Sequence, residues 1–212
     1  MADSVNILLT VAASYLIGSV PTAFIFGKLM KGVDIRQHGS GNVGATNAFR
    51  VLGKGPGTAV LIIDILKGVL AVVVIAGIFQ QDVNGRILAA IAAVAGHNWT
   101  CFLQFKGGKG IATTLGVLIG LTIAVPGIRL AVFLCVLSWL LCFLVTAYVS
   151  VSSIVAAALL PALMIVVSAP FSIILLSILF CLFIVFRHRP NIGRLLKGQE
   201  PKAPLPFHPA KK

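Results

Sequence analysis

Three short segments, each rich in glycine and in amide, hydroxyl or basic side chains, contain most of the residues that could do chemistry. They are GSGNVGATNAFR at 39–50, KGGKGIATT at 106–114 and RHRPNIGR at 187–194, and none of them contains a carboxylate. Glycine lets backbone N–H groups approach a ligand closely, amides and hydroxyls donate hydrogen bonds, and Lys or Arg supplies charge. This combination predicts a cradle for phosphate groups. The second segment also opens a predicted helix, whose unpaired N–H groups would add an anion site.

Two nucleotide-binding motifs resemble parts of the first segment, but neither fits. Gly39, Gly41 and Gly44 match G-x-G-x-x-G, and Asp64 follows Gly44 at about the 20-residue distance of the dinucleotide fingerprint. That fingerprint requires a preceding strand in a soluble βαβ unit, whereas this segment follows an apolar run long enough to span a membrane. The P-loop motif fails because Gly44 is followed by Ala and Thr where Lys is required. A nucleotide-binding fold is therefore not predicted.

The phosphate interpretation has simpler alternatives. Glycines beside membrane helices often serve tight turns or helix packing, and cytoplasmic basic residues commonly anchor a protein to anionic headgroups. Neither alternative needs the amide, hydroxyl and imidazole groups that lie among the charges, which are those of Asn42, Thr46, Asn47, His188 and Asn191. These side chains favour a ligand site over anchoring. His97, at the inner end of an apolar run, is a further candidate, although a lone histidine there is more often a packing residue.

The composition requires a membrane environment for these segments. Hydrophobic residues make up 58% of the 212-residue chain and charged residues 10%, against roughly 25% charged residues in soluble domains. Such a chain would expose more apolar surface than water tolerates. The 17 Lys and Arg against 5 Asp and Glu give a net charge of +12, but long apolar runs leave no polar domain that could present a groove-binding element to nucleic acid. No nucleic-acid partner is predicted.

The four cysteines predict neither a disulfide framework nor a metal site. Cys101, Cys135, Cys142 and Cys181 lie in apolar stretches, form no C-x-x-C pair and have no histidine at ligand spacing. The sequence therefore predicts no metal and no other cofactor.

The apolar runs divide into seven candidate transmembrane helices, since each span needs about 20 mostly apolar residues. The first is interrupted by Pro21 and has no basic residue before Lys28, which favours a retained anchor over a cleaved signal peptide. Breaks at 126–129, 150–153 and 168–170 divide the long final run into four. The fold class is therefore predicted as all-α, a polytopic membrane protein with a single domain over residues 1–212. The predicted spans are 5–27, 58–79, 86–105, 111–126, 129–149, 151–168 and 171–186.

Basic residues predict which side each loop faces, because Lys and Arg in short loops stay cytoplasmic. With the N-terminus outside, loops 28–57 and 106–110 and the C-terminal tail 187–212 are cytoplasmic, and they include all three glycine-rich segments. Arg86 and Arg129 then lie outside, and Lys67 lies within the second span. The remaining fourteen basic residues fall on the cytoplasmic side: Lys28, Lys31, Arg36, Arg50, Lys54, Lys106, Lys109, Arg187, Arg189, Arg194, Lys197, Lys202, Lys211 and Lys212.

Asp64 and Lys67 form a possible charged pair inside the second span. Three residues apart on a helix, they share a face and can form a salt bridge in apolar surroundings. An intramembrane charge is a functional candidate by default, but a mutual pair that orients the adjacent loop is the favoured interpretation.

The chain resembles the bacterial acyl-phosphate:glycerol-3-phosphate acyltransferases, small integral membrane enzymes of phospholipid synthesis. The similarity extends over nearly the whole chain and rests on blocks in the same order. The blocks are GSGNVGATNAFRVLGK at 39–54, D-x-x-K-G at 64–68, GHNW at 96–99, FKGGKGIAT at 105–113 and HRPNIGRLLKGQE at 188–200. Thr100 and Val43 depart from the family pattern, since many members have proline at these positions. Both departures leave the assignment intact.

The resemblance implies seven transmembrane helices, an external N-terminus and an active site at the cytoplasmic face of the bacterial inner membrane. It implies transfer of a fatty acyl group from acyl phosphate to the sn-1 hydroxyl of glycerol 3-phosphate, which yields lysophosphatidic acid and phosphate. This is the first acylation of bacterial phospholipid synthesis. Acyl-CoA and acyl carrier protein would not be direct donors, and a separate soluble enzyme would make the acyl phosphate.

The resemblance also assigns residues. Catalytic residues that contact substrate phosphates or reacting oxygens would be Ser40, Arg50, Lys109, His188 and Asn191. Asn42, Thr46 and Asn47 would shape the first loop around the substrate. The other predicted substrate-binding residues are the loop glycines Gly39, Gly41, Gly107, Gly108 and Gly110, and Ser150 and Ser153, which would help to hold the donor phosphate.

The residue inventory suits this reaction. Common glycerolipid acyltransferases use His-x-x-x-x-Asp with histidine as general base, but the fifth residue after His38, His97 and His188 is Val, Phe and Gly. An acyl phosphate is a mixed anhydride with a good leaving group, so positioning of two phosphates and charge stabilisation can suffice. A substrate phosphate oxygen would take the hydroxyl proton, with His188 as the alternative base.

A transporter for a phosphorylated solute is the competing class. Its typical signature is polar residues at midplane depth in several spans, often in repeated halves. Only Asp64 and Lys67 fit that description, and the sequence has no apparent internal repeat. A non-catalytic membrane scaffold is a third reading, but it would leave the polar cluster of the glycine-rich segments unexplained.

Overall fold

The structure, a computed structural model, describes residues 2–203, and all regular secondary structure in that range is helical. No strand occurs within that range, which confirms the predicted all-α class. Residues 204–212 of the predicted cytoplasmic tail, with Lys211 and Lys212, lie outside the described residues. The helices are α1 Ala2–Ser19, α2 Thr22–Lys31, α3 Ala45–Leu52, α4 Lys54–Leu70, α5 Ala76–Ile78, α6 Val83–Asn98, α7 Ile111–Ala124, α8 Arg129–Thr146, α9 Val149–Val166, α10 Phe171–Arg187 and α11 Arg189–Leu196.

Several of these helices are long and apolar enough to cross a membrane. Judged by length and composition, five segments of the described chain qualify: Asp3–Lys31, Lys54–Ile78, Val83–Leu103, Pro126–Thr146 and Val149–Val166. The pair α10 and α11, bent by 55°, would make a sixth, and α7 is a shorter apolar helix. Many large apolar side chains point outwards, as expected for a surface covered by lipid. The count of seven spans and the external N-terminus stay predictions.

The chain divides after Pro126 into two compact units. In the first unit, α1 packs on α6 and α4 packs on α7, in each case through glycines that let the backbones approach closely. A Cβ on Gly18 of α1 would collide with the Ala93 carbonyl of α6, and a Cβ on Gly116 of α7 would collide with the Ile65 carbonyl of α4. The interpretation of residues 1–212 as one functional domain stays a prediction.

Two helix irregularities in the first unit follow from local chemistry. Pro21 separates α1 from α2, where the sequence predicted an interruption. After α4 the chain makes a π-helical turn at Ala71–Ile75, and the guanidinium of Arg86 donates a hydrogen bond to the Val72 carbonyl at 2.6 Å. A π-turn breaks the regular hydrogen-bond ladder, and Arg86 supplies a partner for one of its carbonyls.

The second unit contains α8 to α11, and its internal break differs from the prediction. The sequence placed the boundary between the fifth and sixth spans at 150–153, whereas α8 ends at Thr146 and the chain turns at Ala147, whose φ is +59°. Ser152 and Ser153 lie inside α9, where their hydroxyls donate to carbonyls one turn back, those of Tyr148 and Val149. Such back-bonding lets serine remain in a helix.

Candidate active site

The first glycine-rich loop, residues 38–44, is held by the side chain of Asn47. Its Oδ1 accepts a hydrogen bond from the Ser40 N–H at 2.8 Å. Its Nδ2 donates to the carbonyls of Ile35 and His38 at 3.1 and 3.0 Å. Because an amide has two donor hydrogens and one acceptor oxygen, one buried side chain fixes the loop at three points. This gives a structural basis to the predicted loop-shaping role of Asn47.

Two glycines of this loop adopt a conformation that other residues avoid. Gly39 has φ +62° and Gly41 has φ +70°, in the left-handed region where a Cβ is strained. A Cβ on Gly39 would also collide with Oδ1 of Asn47. The resulting turn leaves Ser40 exposed at the surface of the unit. The predicted substrate contacts of these two glycines stay predictions.

The helix after this loop presents the other residues predicted there. Gly44 precedes α3 as its N-cap, and Thr46 lies in the first turn, partly buried. Arg50 lies one turn after Thr46 and therefore on the same face of α3, with an exposed side chain. Asn42 is partly buried beside Gly44. The arrangement places a hydroxyl and a guanidinium on one helix face next to the loop.

The nearest carboxylate before the loop is already paired. Asp34 accepts hydrogen bonds from the backbone N–H and the guanidinium of Arg36, with a shortest distance of 2.7 Å. The Arg36 hydrogen bond lowers the pKa of Asp34 to about 2. The Arg36 guanidinium also lies over the Phe24 ring, 5.2 Å from its centroid. Because Asp34 is ionised and paired, it is a weak base, and it serves to fix the turn before the loop.

The second glycine-rich loop, residues 106–110, is attached to the end of α6. The N–H of Gly107 donates to the Asn98 carbonyl at 3.1 Å, and the N–H of Gly108 donates to the His97 carbonyl at 2.9 Å. These carbonyls belong to the last turn of α6, where helix carbonyls lack partners within the helix. A Cβ on Gly107 would collide with the His97 carbonyl, and a Cβ on Gly108 with the His97 ring. Glycine at both positions therefore allows the loop to lie directly on α6.

Lys109 follows this contact, and α7 begins two residues later. Gly110, with φ +78°, is the N-cap of α7 and provides no side chain to cap it. The buried Asn98 side chain lies beside Gly110, since a Cβ there would be 2.6 Å from its Oδ1. Across residues 2–203, neither polar atom of the Asn98 side chain has a hydrogen-bond partner, nor do the buried hydroxyls of Thr113 and Thr114. The start of α7 therefore combines helix N–H groups with unsatisfied polar side chains, which suits an oxygen-rich ligand or water.

The third segment, in the second unit, is organised by a carboxylate that no sequence pattern singles out. Glu200 accepts hydrogen bonds from Ser150 Oγ at 2.8 Å, from Asn191 Nδ2 at 2.6 Å and from Arg194 Nε at 2.7 Å. Burial raises the pKa of Glu200, but the hydrogen bonds from Asn191, Ser150 and Arg194 outweigh burial, so its pKa lies below the ordinary value. Two predicted site residues, Ser150 and Asn191, thus meet at one ionised group. The only signal for Glu200 in the sequence is that it ends the block HRPNIGRLLKGQE.

His188 lies between α10 and α11 with its ring buried. Its Nδ1 is 2.8 Å from the Ile184 carbonyl. Because a carbonyl can only accept, Nδ1 carries the hydrogen, and Nε2 is the acceptor nitrogen of the neutral ring. Ser153 has a different environment from Ser150, since its hydroxyl donates to the Val149 carbonyl and accepts from the Trp139 indole. Its predicted contact with the donor phosphate stays a prediction.

Residues 8–198 match the family model described as glycerol-3-phosphate acyltransferase. The chain belongs to this family. It is 46% identical over 198 residues to glycerol-3-phosphate acyltransferase 2 of Moorella thermoacetica, which covers 92% of this chain and 96% of the relative. It is 46% identical over 200 residues to glycerol-3-phosphate acyltransferase of Halalkalibacterium halodurans, with coverage of 92% and 94%. The family resemblance and the acyltransferase class predicted from the ordered blocks are therefore confirmed.

Solved structures of the glycerol-3-phosphate acyltransferase family agree with the fold. The chain is similar to the crystal structure of PlsY (YgiH), an integral membrane glycerol 3-phosphate acyltransferase, in its glycerol 3-phosphate form, with a TM-score of 0.84 and 38% identity over 93% of this chain and 96% of that one. The lysophosphatidic acid form of PlsY gives a TM-score of 0.82 and 37% identity over 93% and 95%. This acyltransferase is accordingly a multi-pass membrane protein.

Within this acyltransferase, the structure brings predicted site residues together in three local groups. Ser40, Gly39 and Asn47 meet in the first loop. Gly107, Gly108 and Gly110 lie on the end of α6, around the partly buried Lys109. Ser150 and Asn191 share Glu200. The catalytic and substrate-binding roles of these residues stay predictions.

Proposed function

We propose that this acyltransferase moves a fatty acyl group from acyl phosphate to the sn-1 hydroxyl of glycerol 3-phosphate, giving lysophosphatidic acid and phosphate. The observation that carries the proposal is the close similarity, over almost the whole chain, to PlsY in its glycerol 3-phosphate and lysophosphatidic acid forms. The family match over residues 8–198 supports the same acceptor. Acyl phosphate is inferred as the donor because the loops provide basic groups for two phosphates and the sequence lacks the His-x-x-x-x-Asp motif.

Two phosphate-bearing substrates need separate sources of hydrogen bonds and charge, and the first unit has two. The first loop offers Ser40, and α3 beside it offers Arg50. The second loop offers Lys109 with the N-terminus of α7. Arg binds phosphate oxygens through two parallel hydrogen bonds, whereas Lys acts as a point charge. Substituting either basic residue by alanine should lower the rate well over tenfold.

The bond changes fit an enzyme that relies on positioning. The oxygen of the glycerol hydroxyl attacks the carbonyl carbon of the acyl phosphate, a C–O ester bond forms, and the C–O bond to the phosphate breaks. The electron pair of that bond leaves with the phosphate. The proton of the hydroxyl passes to a phosphate oxygen, so the products are lysophosphatidic acid and inorganic phosphate. Positive groups around the phosphates stabilise the charge that develops on the oxygens.

The carboxylates beside the loops support this proton route. Asp34 has a pKa of about 2, and the pKa of Glu200 lies below the ordinary value, so both are ionised, hydrogen-bonded and weakly basic. The sequence also lacks the His-x-x-x-x-Asp motif at His38, His97 and His188. His188 is the alternative candidate base, because Nε2 is its acceptor nitrogen in the neutral ring.

We place the reaction at the cytoplasmic face of the bacterial inner membrane, because the fourteen basic residues predicted to be cytoplasmic include those of all three segments. Acyl phosphate is then supplied by a separate soluble enzyme. The acyl chain of the donor lies in the apolar environment that the helices require, and the two phosphates lie in water-accessible loops.

The test uses purified protein in lipid, palmitoyl phosphate and labelled glycerol 3-phosphate, with palmitoyl-CoA in a parallel reaction. Labelled lysophosphatidate should form from palmitoyl phosphate alone and should be lost in Lys109→Ala. His188→Gln separates the two proton routes. Turnover within about tenfold of wild type supports proton transfer to phosphate, whereas abolished turnover with unchanged substrate binding would make His188 the base.

Product from palmitoyl-CoA at the same rate would overturn the donor assignment. No product from either donor, together with uptake of glycerol 3-phosphate into sealed vesicles, would replace the enzyme with a transporter. These results count only if Lys109→Ala remains folded. The control is its thermal unfolding profile in detergent, which should match that of wild type.

A further inference from the structure

A buried charged network lies beneath the second glycine-rich loop. Asp64 of α4 and Lys67 are 2.9 Å apart, and their side chains are 2% and 5% exposed. The salt bridge predicted from their spacing is therefore confirmed. The network is larger than the pair, since Asp64 Oδ1 also accepts a hydrogen bond from Thr22 Oγ1 at 3.0 Å and Lys67 Nζ donates to the Val20 carbonyl at 3.2 Å.

The network connects three parts of the first unit. Val20 and Thr22 flank Pro21 at the break between α1 and α2, so Asp64 and Lys67 attach α4 to that break. The third connection is His97 in the last turn of α6, whose Nδ1 lies 3.8 Å from Asp64 Oδ1. A pair that only neutralised its own charges in apolar surroundings would need none of these contacts.

His97 contacts the loop through both its backbone and its ring. Its carbonyl accepts the hydrogen bond of the Gly108 N–H, and its ring fills the space where a Cβ of residue 108 would lie. Gly108 precedes Lys109 directly. The orientation of this last helical turn therefore sets the position of the loop that bears Lys109. His97 itself is 7% exposed and covered by Gly108, which is unsuitable for a group that must reach a substrate.

The residues before the loop are also attached to the end of α1 by neutral contacts. Thr100 Oγ1 donates to the Ser19 carbonyl at 2.6 Å, and Tyr15 donates to the Trp99 carbonyl at 2.7 Å. The charged network and these two hydrogen bonds together attach the end of α6 to neighbouring elements.

We propose that Asp64 is a positioning residue for the Lys109 loop: through its contacts with Thr22, Lys67 and His97, it orients the last turn of α6 against which Gly107 and Gly108 pack. The kinetic consequence rests on the proposed function, because Lys109 is there assigned to a substrate phosphate. The structural consequence does not, because it concerns hydrogen bonds of the loop in the absence of substrate.

The central variant removes both charges and the acceptor oxygens of residue 64 together, Asp64→Leu with Lys67→Met. A neutral pair avoids an unpaired buried charge, so the protein should fold with a thermal stability close to that of wild type. Hydrogen exchange of the peptide covering residues 104–110 should become about tenfold faster, and exchange in α8 to α10 should stay unchanged. The KM for the phosphate substrate that Lys109→Gln also weakens should rise about tenfold, while kcat changes less than threefold.

Two further variants make the test specific. His97→Ala should produce a similar change in loop exchange and in KM. Its effect should be smaller in the Asp64→Leu/Lys67→Met background than in wild type, because part of it acts through the contact between His97 and Asp64. Thr10→Val is the matched control. Thr10 is equally buried on α1, but its hydroxyl donates to the Asn6 carbonyl of its own helix, so neither measurement should change.

The outcomes separate the two hypotheses. If Asp64→Leu alone is defective and Lys67→Met restores wild-type loop exchange and KM, Asp64 only neutralises Lys67 and the proposal is overturned. Unchanged loop exchange in the double variant would overturn it as well. A wild-type protein that makes no lysophosphatidate would contradict the proposed function, whereas the exchange measurements would still test the positioning role.

Discussion

Glu200 offers a graded test of how the third segment is organised. Its Oε1 accepts from Ser150 and Asn191, and its Oε2 accepts from Arg194. In Glu200→Gln, the amide oxygen can replace Oε1 and keep both neutral donors. The NH2 group then replaces Oε2 and faces the donor of Arg194, so one charge-assisted hydrogen bond is lost.

The size of each effect follows from these contacts. A hydrogen bond to a charged group contributes about 1.5–3 kcal/mol. Because the Arg194 side chain is 36% exposed, water replaces part of the bond, and we expect Glu200→Gln to lower the free energy of unfolding by about 1.5–2 kcal/mol. Glu200→Ala leaves three donors without their acceptor, and should cost about 3–5 kcal/mol.

The effect on activity should separate the two variants further. Glu200→Gln keeps the partner of Asn191, so kcat/KM should fall less than about threefold, equivalent to under 0.7 kcal/mol of transition-state stabilisation. Glu200→Ala releases Asn191 and Ser150 together, and kcat/KM should fall more than about thirtyfold. The assays are unfolding in detergent and initial rates of lysophosphatidate formation.

A double-mutant cycle with Arg194→Gln tests the assignment of the lost bond. Arg194→Gln should cost about 1.5–2 kcal/mol in wild type and under about 0.5 kcal/mol in Glu200→Gln. Asp82→Asn is the matched control, because Asp82 caps α6 through the Gly85 N–H and asparagine caps equally well. Equal damage from Glu200→Gln and Glu200→Ala, or additive costs in the cycle, would refute the reasoning.

Three further predictions concern the acid stability that Glu200 provides, the left-handed backbone at Gly39 and the buried hydrogen bond of Thr100. The pKa of Glu200 lies below the ordinary 4.5, so its stabilisation is present above about pH 4.5 and is lost as pH falls through the lowered value; acid unfolding monitored by circular dichroism should show a smaller loss in Glu200→Gln. Gly39→Ala should lower the free energy of unfolding by about 1–2 kcal/mol and lower activity, because φ is +62° and the Asn47 side chain occupies the space of the Cβ. Gly55→Ala in α4 is the control: its Cβ would meet open space, so it should raise the free energy of unfolding by about 0.5–1 kcal/mol. Both are measured by unfolding in detergent. Thr100→Val removes the buried hydrogen bond to the Ser19 carbonyl and should cost about 1–3 kcal/mol, against little change for Thr122→Val, whose exposed hydroxyl bonds within its own helix.

Local features of this protein could be predicted from the sequence. The Asp64–Lys67 salt bridge follows from spacing on one helix, and the pair forms. Breaks expected at Pro21 and around Pro126 coincide with helix ends, because proline disrupts helix geometry. The three glycine-rich segments do contain glycines with positive φ or close backbone contacts, at Gly39 and Gly108 among others.

Contacts between distant residues could not be predicted from spacing. Ser150 and Asn191 meet at Glu200 only because the chain after α11 returns to the start of α9. The three contacts of Asn47 depend on a loop conformation that no periodicity encodes.

Thr100 also has a partner that spacing along the sequence does not predict. Its φ of −67° is the value that proline requires, so the backbone suits either residue. The hydroxyl adds a hydrogen bond to the Ser19 carbonyl of α1, a partner that only the packing of α1 on α6 brings near.

The central claim is that the glycerol oxygen attacks the acyl carbon of an acyl phosphate. Glycerol 3-phosphate labelled with ¹⁸O at the sn-1 hydroxyl, reacted with palmitoyl phosphate and the purified protein, tests it directly by mass spectrometry. The account predicts that the label is retained in the ester oxygen of lysophosphatidate, with unlabelled inorganic phosphate released in equal amount. Label in a new phosphate ester with free palmitate, or free palmitate with unreacted labelled glycerol 3-phosphate, would contradict it.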